Sequence, residues 1–224
     1  MPIRLQKELD KLKKSILSLG AMVEERVRMA IQALELREAN LAEKIIRSDY
    51  KIDEFEVEVE EECLKILALH QPVAVDLRFI IAVIKINNDL ERIADEAVNI
   101  AERVQIIAKR ERIDIPFDYT LMAEKTASML KKSLDALVNM NDVLALNVLK
   151  LDDEIDEMKN HAYDVVKQAI GEYPDRVGYL INLLLMCRHL ERIADHATNI
   201  AEEVVYMVEG EIVRHGKGAL GSEE

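Results

Sequence analysis

Apolar residues recur along nearly the whole chain with the three- and four-residue spacing of an α-helix. This spacing gathers apolar side chains on one face of each helix, where they can pack together. The 4 prolines and 7 glycines interrupt the pattern rarely, and they mark boundaries between helices because both residues disfavour a helix interior. The pattern predicts an all-α fold with six helices, at residues 4–37, 39–69, 74–109, 117–140, 142–171 and 176–209.

An internal repeat organises these helices. The sequence LERIADEAVNIAE at residues 90–102 recurs as LERIADHATNIAE at residues 190–202, with two differences. Upstream, residues 49–54 match residues 152–157 in the same order. Three helices have therefore been duplicated, which predicts two tandem three-helix bundles. We expect the following division: a first bundle at residues 1–110, a linker at 111–116, a second bundle at 117–210 and a flexible tail at 211–224.

Composition narrows the class of protein. The chain has 43 acidic and 30 basic residues and a net charge of −13, which argues against a surface that binds nucleic acid. Cys63 and Cys187 lie within apolar-periodic stretches, so we expect buried free thiols. The chain begins without an apolar leader, and its longest apolar run, residues 79–84, is far shorter than a membrane span. We expect a cytoplasmic protein.

Carboxylates lie opposite the apolar stripe of the predicted third helix. Glu91 and Asp95 are four residues apart, so their side chains are neighbours on the helix, and Asp49 and Asp53 have the same spacing on the second helix. If the turn between these helices is centred on Pro72, Asp53 lies level with Glu91, and Asp49 lies level with Asp95. The hairpin therefore brings four carboxylates to one place on the outside of the bundle.

The second repeat has the same arrangement. Asp156 lies level with Glu191, and Asp152 lies level with Asp195, if the turn falls between residues 173 and 174, where the chain again has a proline. In each repeat an asparagine follows one helical turn further along the acidic strip. All-oxygen clusters of this kind suit hard cations: Mg²⁺, Mn²⁺, Ca²⁺ or iron. We therefore predict these metal ligands: Asp49, Asp53, Glu91, Asp95, Asn99, Asp152, Asp156, Glu191, Asp195 and Asn199.

Two simpler interpretations of the acidic residues stay open. Arg92, Arg103 and Arg192 lie close enough in sequence to screen them on an ordinary solvated surface. The strip can also serve as a recognition surface without metal. His196 lies well away from the acidic sector of its helix, so we expect it to be a surface histidine and not a ligand.

A metal-dependent enzyme, either a phosphatase or a di-iron-type oxidase using the same carboxylates, is the alternative function. The sequence has no Glu-x-x-His motif, no P-loop and no H-E-x-x-H motif, and it offers no convincing general acid or base. We therefore expect a protein that is not an enzyme and has no catalytic residues. A helical scaffold whose charges only keep it in solution is a third hypothesis.

Three motifs together resemble the PhoU family, the accessory and regulatory proteins of phosphate-specific transport. They are LGAMVE at residues 19–24, QPxAxDLR at residues 71–78 and the doubled LERIAD at residues 90 and 190. The likeness covers nearly the whole chain. One departure is visible: the family often has glycine where this chain has Ala94 and Ala194. Alanine is the better helix former, so we expect the carboxylates to keep their places.

The resemblance implies a fold of two repeated three-helix bundles and a cytoplasmic protein that forms a homodimer. It implies a negative regulator that links the ATPase subunit of a phosphate ABC transporter to a sensor histidine kinase and restrains the phosphate-starvation response. Contact with the membrane is expected only through these partners, and no nucleic acid is expected. Some members bind multinuclear metal clusters through E/D-x-x-x-D motifs, which here are the four acidic pairs. Iron, manganese, magnesium or zinc would suit them.

Overall fold

The structure, a computed structural model, describes residues 3–210. Within this range the chain is helical and has no strand, which confirms the all-α fold of two repeated bundles. The predicted tail at 211–224 lies outside the described residues. The α-helices are α1 (Ile3–Leu36), α2 (Ala39–Arg47), α3 (Tyr50–His70), α4 (Ala74–Ile107), α5 (Tyr119–Asn139), α6 (Asp142–Glu172) and α7 (Val177–Glu209), with a short 3₁₀ helix at Pro174–Arg176.

The predicted helix at 39–69 is divided in two. The chain tightens around Ser48 and Asp49: the backbone N–H groups of Ser48, Lys51 and Ile52 bond to carbonyls three residues back instead of four. At this break Arg26 on α1 donates a hydrogen bond of 2.7 Å to the Ser48 carbonyl oxygen. This bond takes up an oxygen that would otherwise accept from the N–H of Ile52 in a regular helix. The prediction of one continuous helix was therefore wrong at this point.

Each repeat forms its own bundle around an apolar core. Helices α1, α3 and α4, with the short α2, make the first bundle, and α5, α6 and α7 make the second. The large side chains that fill the first core include Leu12, Ile16 and Leu19, each less than 2% exposed. Burying an aliphatic side chain of this size stabilises the fold by roughly 1.5–3 kcal/mol. Cys63 and Cys187 are buried and free, as the sequence predicted.

The bundles meet along α4 and α7, which form the most extensive contact between helices of the two repeats. Glu96 of α4, only 3% exposed, lies 2.7 Å from Nδ1 of His189 and 2.9 Å from Arg192, both on α7. Burial alone would raise the pKa of Glu96, but the hydrogen bond with His189 and the charge of Arg192 bring that pKa below its usual value. This buried carboxylate therefore holds the repeats together in its charged form.

A second pair mirrors the first. Nδ1 of His196 on α7 lies 2.8 Å from Asp89 on α4. Position 196 is the repeat equivalent of position 96, and position 89 is the equivalent of position 189, so the two pairs are related by exchange of the repeats. The contacts also show that α4 and α7 run antiparallel. The expectation that His196 is a surface histidine was wrong, because its ring is largely buried at this interface.

The chain offers a glycine where the repeats approach closely. A Cβ atom on Gly20 of α1 would lie 2.9 Å from Cδ2 of Leu134 on α5.

Within the described residues no helix is both long enough and apolar enough to span a membrane.

The Glu96 contact yields a first prediction. Replacing Glu96→Gln removes the charge that His189 and Arg192 face, and we expect this to cost about 2 kcal/mol at pH 7. For a chain of this size that corresponds to a fall of about 4–8 °C in Tm. Because the folded-state pKa of Glu96 is lowered, its contribution is present above the pKa of the unfolded chain. The contribution is lost as the pH falls through the folded-state pKa.

The measurement is thermal unfolding from pH 3 to pH 8. We expect the Tm difference between wild type and variant to be largest near neutral pH and to shrink in acid. Glu124→Gln on the exposed face of α5 is the control and should leave Tm within about 1 °C of wild type. A Tm difference for Glu96→Gln that is absent at pH 7, or that grows as the pH falls, would contradict the assignment.

Candidate functional site

The α3–α4 hairpin carries a cluster of carboxylates on the outside of the first bundle. We call Asp49, Asp53, Glu56, Glu91 and Asp95 the first acidic cluster. Burial raises the pKa of Asp95, and the nearby charge of Asp53 across the hairpin raises it further. The pKa of Glu91 is raised by burial and then by Asp95. Asp53 and Asp95 are exposed, and the charge of Asp53 acts on both Glu91 and Asp95, so these carboxylates face one another across the hairpin at the surface of the bundle, as the turn at Pro72 predicted.

Asp49 differs from the rest of the first acidic cluster, because it already has a cationic partner. It forms an ion pair with Arg26, whose side chain is almost fully buried between α1 and the start of α3. Burial disfavours both charges: it raises the pKa of Asp49 and lowers that of Arg26, although each ion favours the charge of the other. Arg26 was not among the site residues predicted from the sequence. The buried Arg26 therefore partly neutralises the charge of Asp49.

Glu56 is a member of the first acidic cluster that was not predicted from the sequence. It follows Asp53 by three residues, so it lies on the same side of α3. The buried Asn87 of α4 donates a hydrogen bond of 2.8 Å to its carboxylate. Burial raises the pKa of Glu56, and the charges of Glu60 and Asp53 add to that rise. The three-residue step from Asp53 was a signal that could have revealed this residue.

The second acidic cluster comprises Asp152, Asp156, Glu191 and Asp195 on α6 and α7. Lys159 lies among them, with its Nζ 2.8 Å from Asp156 and 3.0 Å from Glu191. These bonds raise the pKa of Lys159, so it stays protonated. Burial raises the pKa of Asp195 to about 6, and Glu191, Asp152 and Asp156 contribute to that rise. The cluster that the turn near residue 174 predicted is therefore present, but it includes its own cation.

Lys159 marks the main difference between the two clusters. It stands three residues after Asp156, just as Glu56 stands three residues after Asp53. The same place in the repeat therefore holds an anion in the first cluster and a cation in the second. The first cluster has the greater excess of negative charge.

The two asparagines lie towards the contact between the repeats. Nδ2 of Asn99 donates to Glu96 over 3.3 Å, and Nδ2 of Asn199 donates to Asp89 over 3.0 Å. Among residues 3–210, no group of three or more His, Cys, Asp or Glu side chains is placed to hold a metal ion as those side chains stand. Cation binding in either cluster would therefore require carboxylate side chains to rotate towards one another.

A row of exposed apolar side chains follows the outer side of α3. Tyr50, Val57 and Leu64 are 54%, 49% and 54% exposed, and we call them the α3 stripe. They are seven residues apart, so they lie along one side of the helix. Exposed apolar rows of this kind are typical of surfaces that bind another protein.

The second repeat provides an internal comparison for the α3 stripe. The equivalent positions on α6 are Asp153, Asn160 and Lys167, all polar and all exposed. The shared fold therefore does not require apolar residues at these places. Exposed glutamates flank the α3 stripe: Glu54, Glu58 and Glu61. A surface that covers the stripe would be apolar in its centre and basic at its edges.

Comparison with known proteins agrees with this architecture. The PhoU domain family matches residues 16–104 and again residues 119–204. A phosphate-specific transport system accessory protein PhoU homolog of Clostridium acetobutylicum is 35% identical over 209 residues, which are 93% of this chain and 95% of that protein. The homolog of Aquifex aeolicus is 37% identical over 213 residues, which are 95% and 96% of the two chains.

Two solved structures share the fold. The crystal structure of PhoU from Pseudomonas aeruginosa superposes with a TM-score of 0.88 at 34% identity and covers 92% of this chain and 99% of that one. The crystal structure of the phosphate transport system regulatory protein PhoU from Streptococcus pneumoniae gives a TM-score of 0.83 at 32% identity and covers 94% and 100% of the two chains.

The raised pKa of Asp195 yields a second prediction, for protein kept in chelator. An unfolded aspartate titrates near pH 3.9, so the folded chain holds this proton more tightly than the unfolded chain does. The resulting stability is complete below about pH 4 and is lost as the pH rises through about 6. Asp195→Asn keeps the group uncharged at every pH. We therefore expect the variant to gain stability over wild type as the pH rises.

Thermal unfolding between pH 4 and pH 7.5 measures this gain. Solvent screens a group this exposed, so we expect about 1 kcal/mol, or about 2–4 °C in Tm, at pH 7 and nearly no difference at pH 4. Asp135→Asn, on the exposed face of α5, should show no such trend. A Tm difference for Asp195→Asn that stays constant over this range would be the opposing result.

Proposed function

The chain belongs to the PhoU family, and we propose that it is a regulatory adaptor of phosphate uptake. It links the ATPase subunit of a phosphate ABC transporter to a sensor histidine kinase and restrains phosphate-starvation signalling while phosphate is plentiful. In this proposal it acts in the cytoplasm as a homodimer and reaches the membrane only through these partners. Support comes from its similarity, over nearly the full length, to accessory proteins of phosphate-specific transport.

The observation that carries the adaptor role is the difference between the outer faces of α3 and α6. An adaptor with two partners needs two surfaces that those partners can distinguish. The repeats share one fold, yet α3 presents Val57 and Leu64 where α6 presents Asn160 and Lys167. We propose that the α3 stripe receives the transporter ATPase subunit. The acidic flanks of the stripe favour a partner with basic residues around an apolar centre.

We also propose that the first acidic cluster binds a hard divalent cation. Its carboxylates Asp53, Glu56, Glu91 and Asp95 supply only oxygen, and burial and mutual repulsion raise the pKa of the last three. A cation there would remove the repulsion and join α3 to α4. The second acidic cluster is the weaker candidate, because Lys159 already contacts two of its carboxylates.

The enzyme hypothesis gains no comparable support. Histidine is the side chain that most often transfers protons in acid–base catalysis. The two histidines of α7 are engaged elsewhere: His189 contacts Glu96, and His196 contacts Asp89. Both residues serve the contact between the repeats.

The metal proposal yields a third prediction. Chelator-treated protein should gain Tm when Mn²⁺ or Mg²⁺ is added, by about 2.7 kcal/mol at a concentration 100 times Kd, or about 5–10 °C. Asp95→Asn should abolish most of this gain. Lys159→Glu gives the second cluster the residue type of the first and should increase the metal bound per chain.

Elemental analysis after dialysis measures the bound metal, and Lys159→Gln separates loss of the lysine charge from gain of a ligand. Asp135→Asn is the matched control for the loss of one carboxylate. A wild-type chain that retains no metal and shows no rise in Tm would remove the cation from the proposal, and the adaptor role would still stand.

The α3 stripe yields a fourth prediction. The double replacement Val57→Asn and Leu64→Lys introduces the residues of the second repeat. Because each apolar side chain buried in a contact stabilises it by roughly 1.5–3 kcal/mol, we expect binding of the purified transporter ATPase subunit to weaken at least about tenfold. The Tm should stay within about 1 °C of wild type, since both side chains are exposed.

Biolayer interferometry with the immobilised ATPase subunit measures the change. The control is Val143→Asn, which removes an exposed apolar residue, 64% exposed, from the start of α6 and should leave the affinity unchanged. Equal affinity of the wild type and the α3 variant would exclude the stripe as the docking face.

A further inference from the structure

An open groove lies on the first repeat where α1 passes the junction of α2 and α3. Its volume is about 430 Å³, within the range of roughly 300–1,000 Å³ that is usual for ligand-binding pockets. Lys51 on its wall stands roughly 100° around α3 from Tyr50, so the groove and the α3 stripe are different surfaces. We call it the α1–α2 groove, and its walls include Ala21, Met22, Met29, Lys44, Ser48 and Lys51.

Methionines form the apolar part of the α1–α2 groove. Met22 and Met29 are seven residues apart, so they lie along one side of α1. Both are half-buried against the core and line the groove with the rest of their side chains. Methionine side chains are flexible and polarizable, and surfaces that bind varied apolar partners use them often. The groove therefore offers an apolar surface that can adapt to a partner.

Two lysines beside the methionines lack an anion. Lys44 lies in the last turn of α2 and Lys51 in the first turn of α3, and both are exposed. Among residues 3–210, no carboxylate oxygen lies within 4.0 Å of either ammonium group. Glu25 also lines the groove, but it accepts a hydrogen bond of 2.9 Å from Nε of Arg28. The uncompensated charge of the groove is therefore positive, on a chain whose net charge is −13.

The junction of α2 and α3 carries these lysines on a backbone that is tied to α1. Arg26 donates a hydrogen bond of 2.7 Å to the Ser48 carbonyl oxygen and forms an ion pair with Asp49. The Arg26 side chain is only 8% exposed, and Asp49 matches its charge, so it adds little to the charge that a partner would meet. The cations available to a partner are therefore the two lysines.

The second repeat again provides an internal comparison, with equivalent positions 103 residues further along the chain. The two methionines become Lys125 and Lys132, and Lys51 becomes Glu154. Lys125 and Glu154 form an ion pair of 2.6 Å across this place. Here α6 (Asp142–Glu172) also continues without a break. The shared fold therefore requires neither the apolar surface nor the unpaired lysines of the first repeat.

We infer that the α1–α2 groove binds an amphipathic helix of a partner protein, one with acidic residues beside its apolar face. The apolar side chains of such a helix would contact Met22 and Met29, and its carboxylates would pair with Lys44 and Lys51. Amphipathic helices bind apolar grooves in this way, through anchors spaced by one and two helical turns. The paired charges fix the orientation of the helix and exclude helices with basic edges.

The α1–α2 groove and the α3 stripe have opposite charge around an apolar centre. The stripe has glutamates at its edges, and the groove has lysines. A partner with the charge that suits one surface would be repelled by the other, so the two surfaces select different partners. In the adaptor role proposed above the groove would be the second docking surface, although its chemistry does not depend on that role.

Fluorescence anisotropy with a labelled synthetic peptide tests the inference on the full chain. The peptide is a helix of about 18 residues, or five turns, with leucines along one face and glutamates on both sides of them. We expect saturable binding with a Kd of about 10–100 µM, weakening as salt is added. A second peptide with serine in place of each leucine has the same charge and should show no saturable binding.

Charge reversal in the groove is the main variant. Lys44→Glu with Lys51→Glu should weaken binding of the leucine peptide at least about tenfold, because both attractions become repulsions. Lys13→Glu with Lys14→Glu, on an exposed part of α1, makes the same change in net charge and should leave the affinity unchanged. All four lysines are exposed, so the Tm of both variants should stay within about 1 °C of wild type.

Replacement of the methionines tests the apolar contact. Met22→Lys with Met29→Lys introduces the residues of the second repeat and should also weaken binding of the leucine peptide about tenfold. The Tm of this variant is measured in parallel, and the charge-reversal variant keeps the test valid if the methionine variant is unstable.

Three results would overturn the inference. The first is no saturable binding of the leucine peptide by wild type, and the second is binding that Lys44→Glu with Lys51→Glu leaves unchanged. The third comes from sedimentation velocity: a wild-type chain that self-associates, and that Met22→Lys with Met29→Lys makes monomeric, would assign the groove to a second copy. Binding of the ATPase subunit at the α3 stripe is measured separately, so failure of the groove and failure of the adaptor role are distinguishable.

Discussion

The packing of α4 against α7 is the constraint on which the rest of the molecule depends. These helices belong to different repeats, run antiparallel and are buried both in their own bundles and against each other. Each needs apolar residues around much of its circumference, so the carboxylates of the LERIAD motifs are confined to the remaining strip. That strip faces α3 in one repeat and α6 in the other. Both acidic clusters therefore lie across a hairpin and not on a single helix.

The helical period explains what sequence alone could predict. Side-chain direction on a helix follows from residue number, so counting from the turn was enough to bring Asp53 level with Glu91. The break at Ser48 had no such signal, because the Arg26 side chain that bonds to the Ser48 carbonyl comes from 22 positions away. The contact of His196 with Asp89 joins residues 107 positions apart. Contacts of this kind are set by the way the bundles dock, and periodicity within one helix does not describe docking.

Comparison of the two repeats distinguishes the features that the shared fold requires from the features that occur in only one repeat. The apolar core and the acidic pairs recur in both repeats, so the shared architecture accounts for their positions. Glu56 and Lys159 occupy equivalent places with opposite charge, so the second cluster has a cation where the first has a carboxylate. Val57 and Asn160 likewise differ on an equivalent exposed surface. Because both repeats fold as helical bundles, the fold does not depend on these differences in surface charge and polarity.

Arg37 joins the end of α4 to the start of α7. It donates a hydrogen bond to the carbonyl oxygen of Ile107, twelve residues after Asp95 on α4, and its guanidinium lies 5.8 Å from the ring centroid of Tyr179, twelve residues before Glu191 on α7. At 1.5 Å per residue, each acidic cluster therefore lies roughly 18 Å along a continuous helix from Arg37. Because α4 and α7 pack against each other, any sliding of one helix along the other would shift the carboxylates of both clusters relative to α3 and α6.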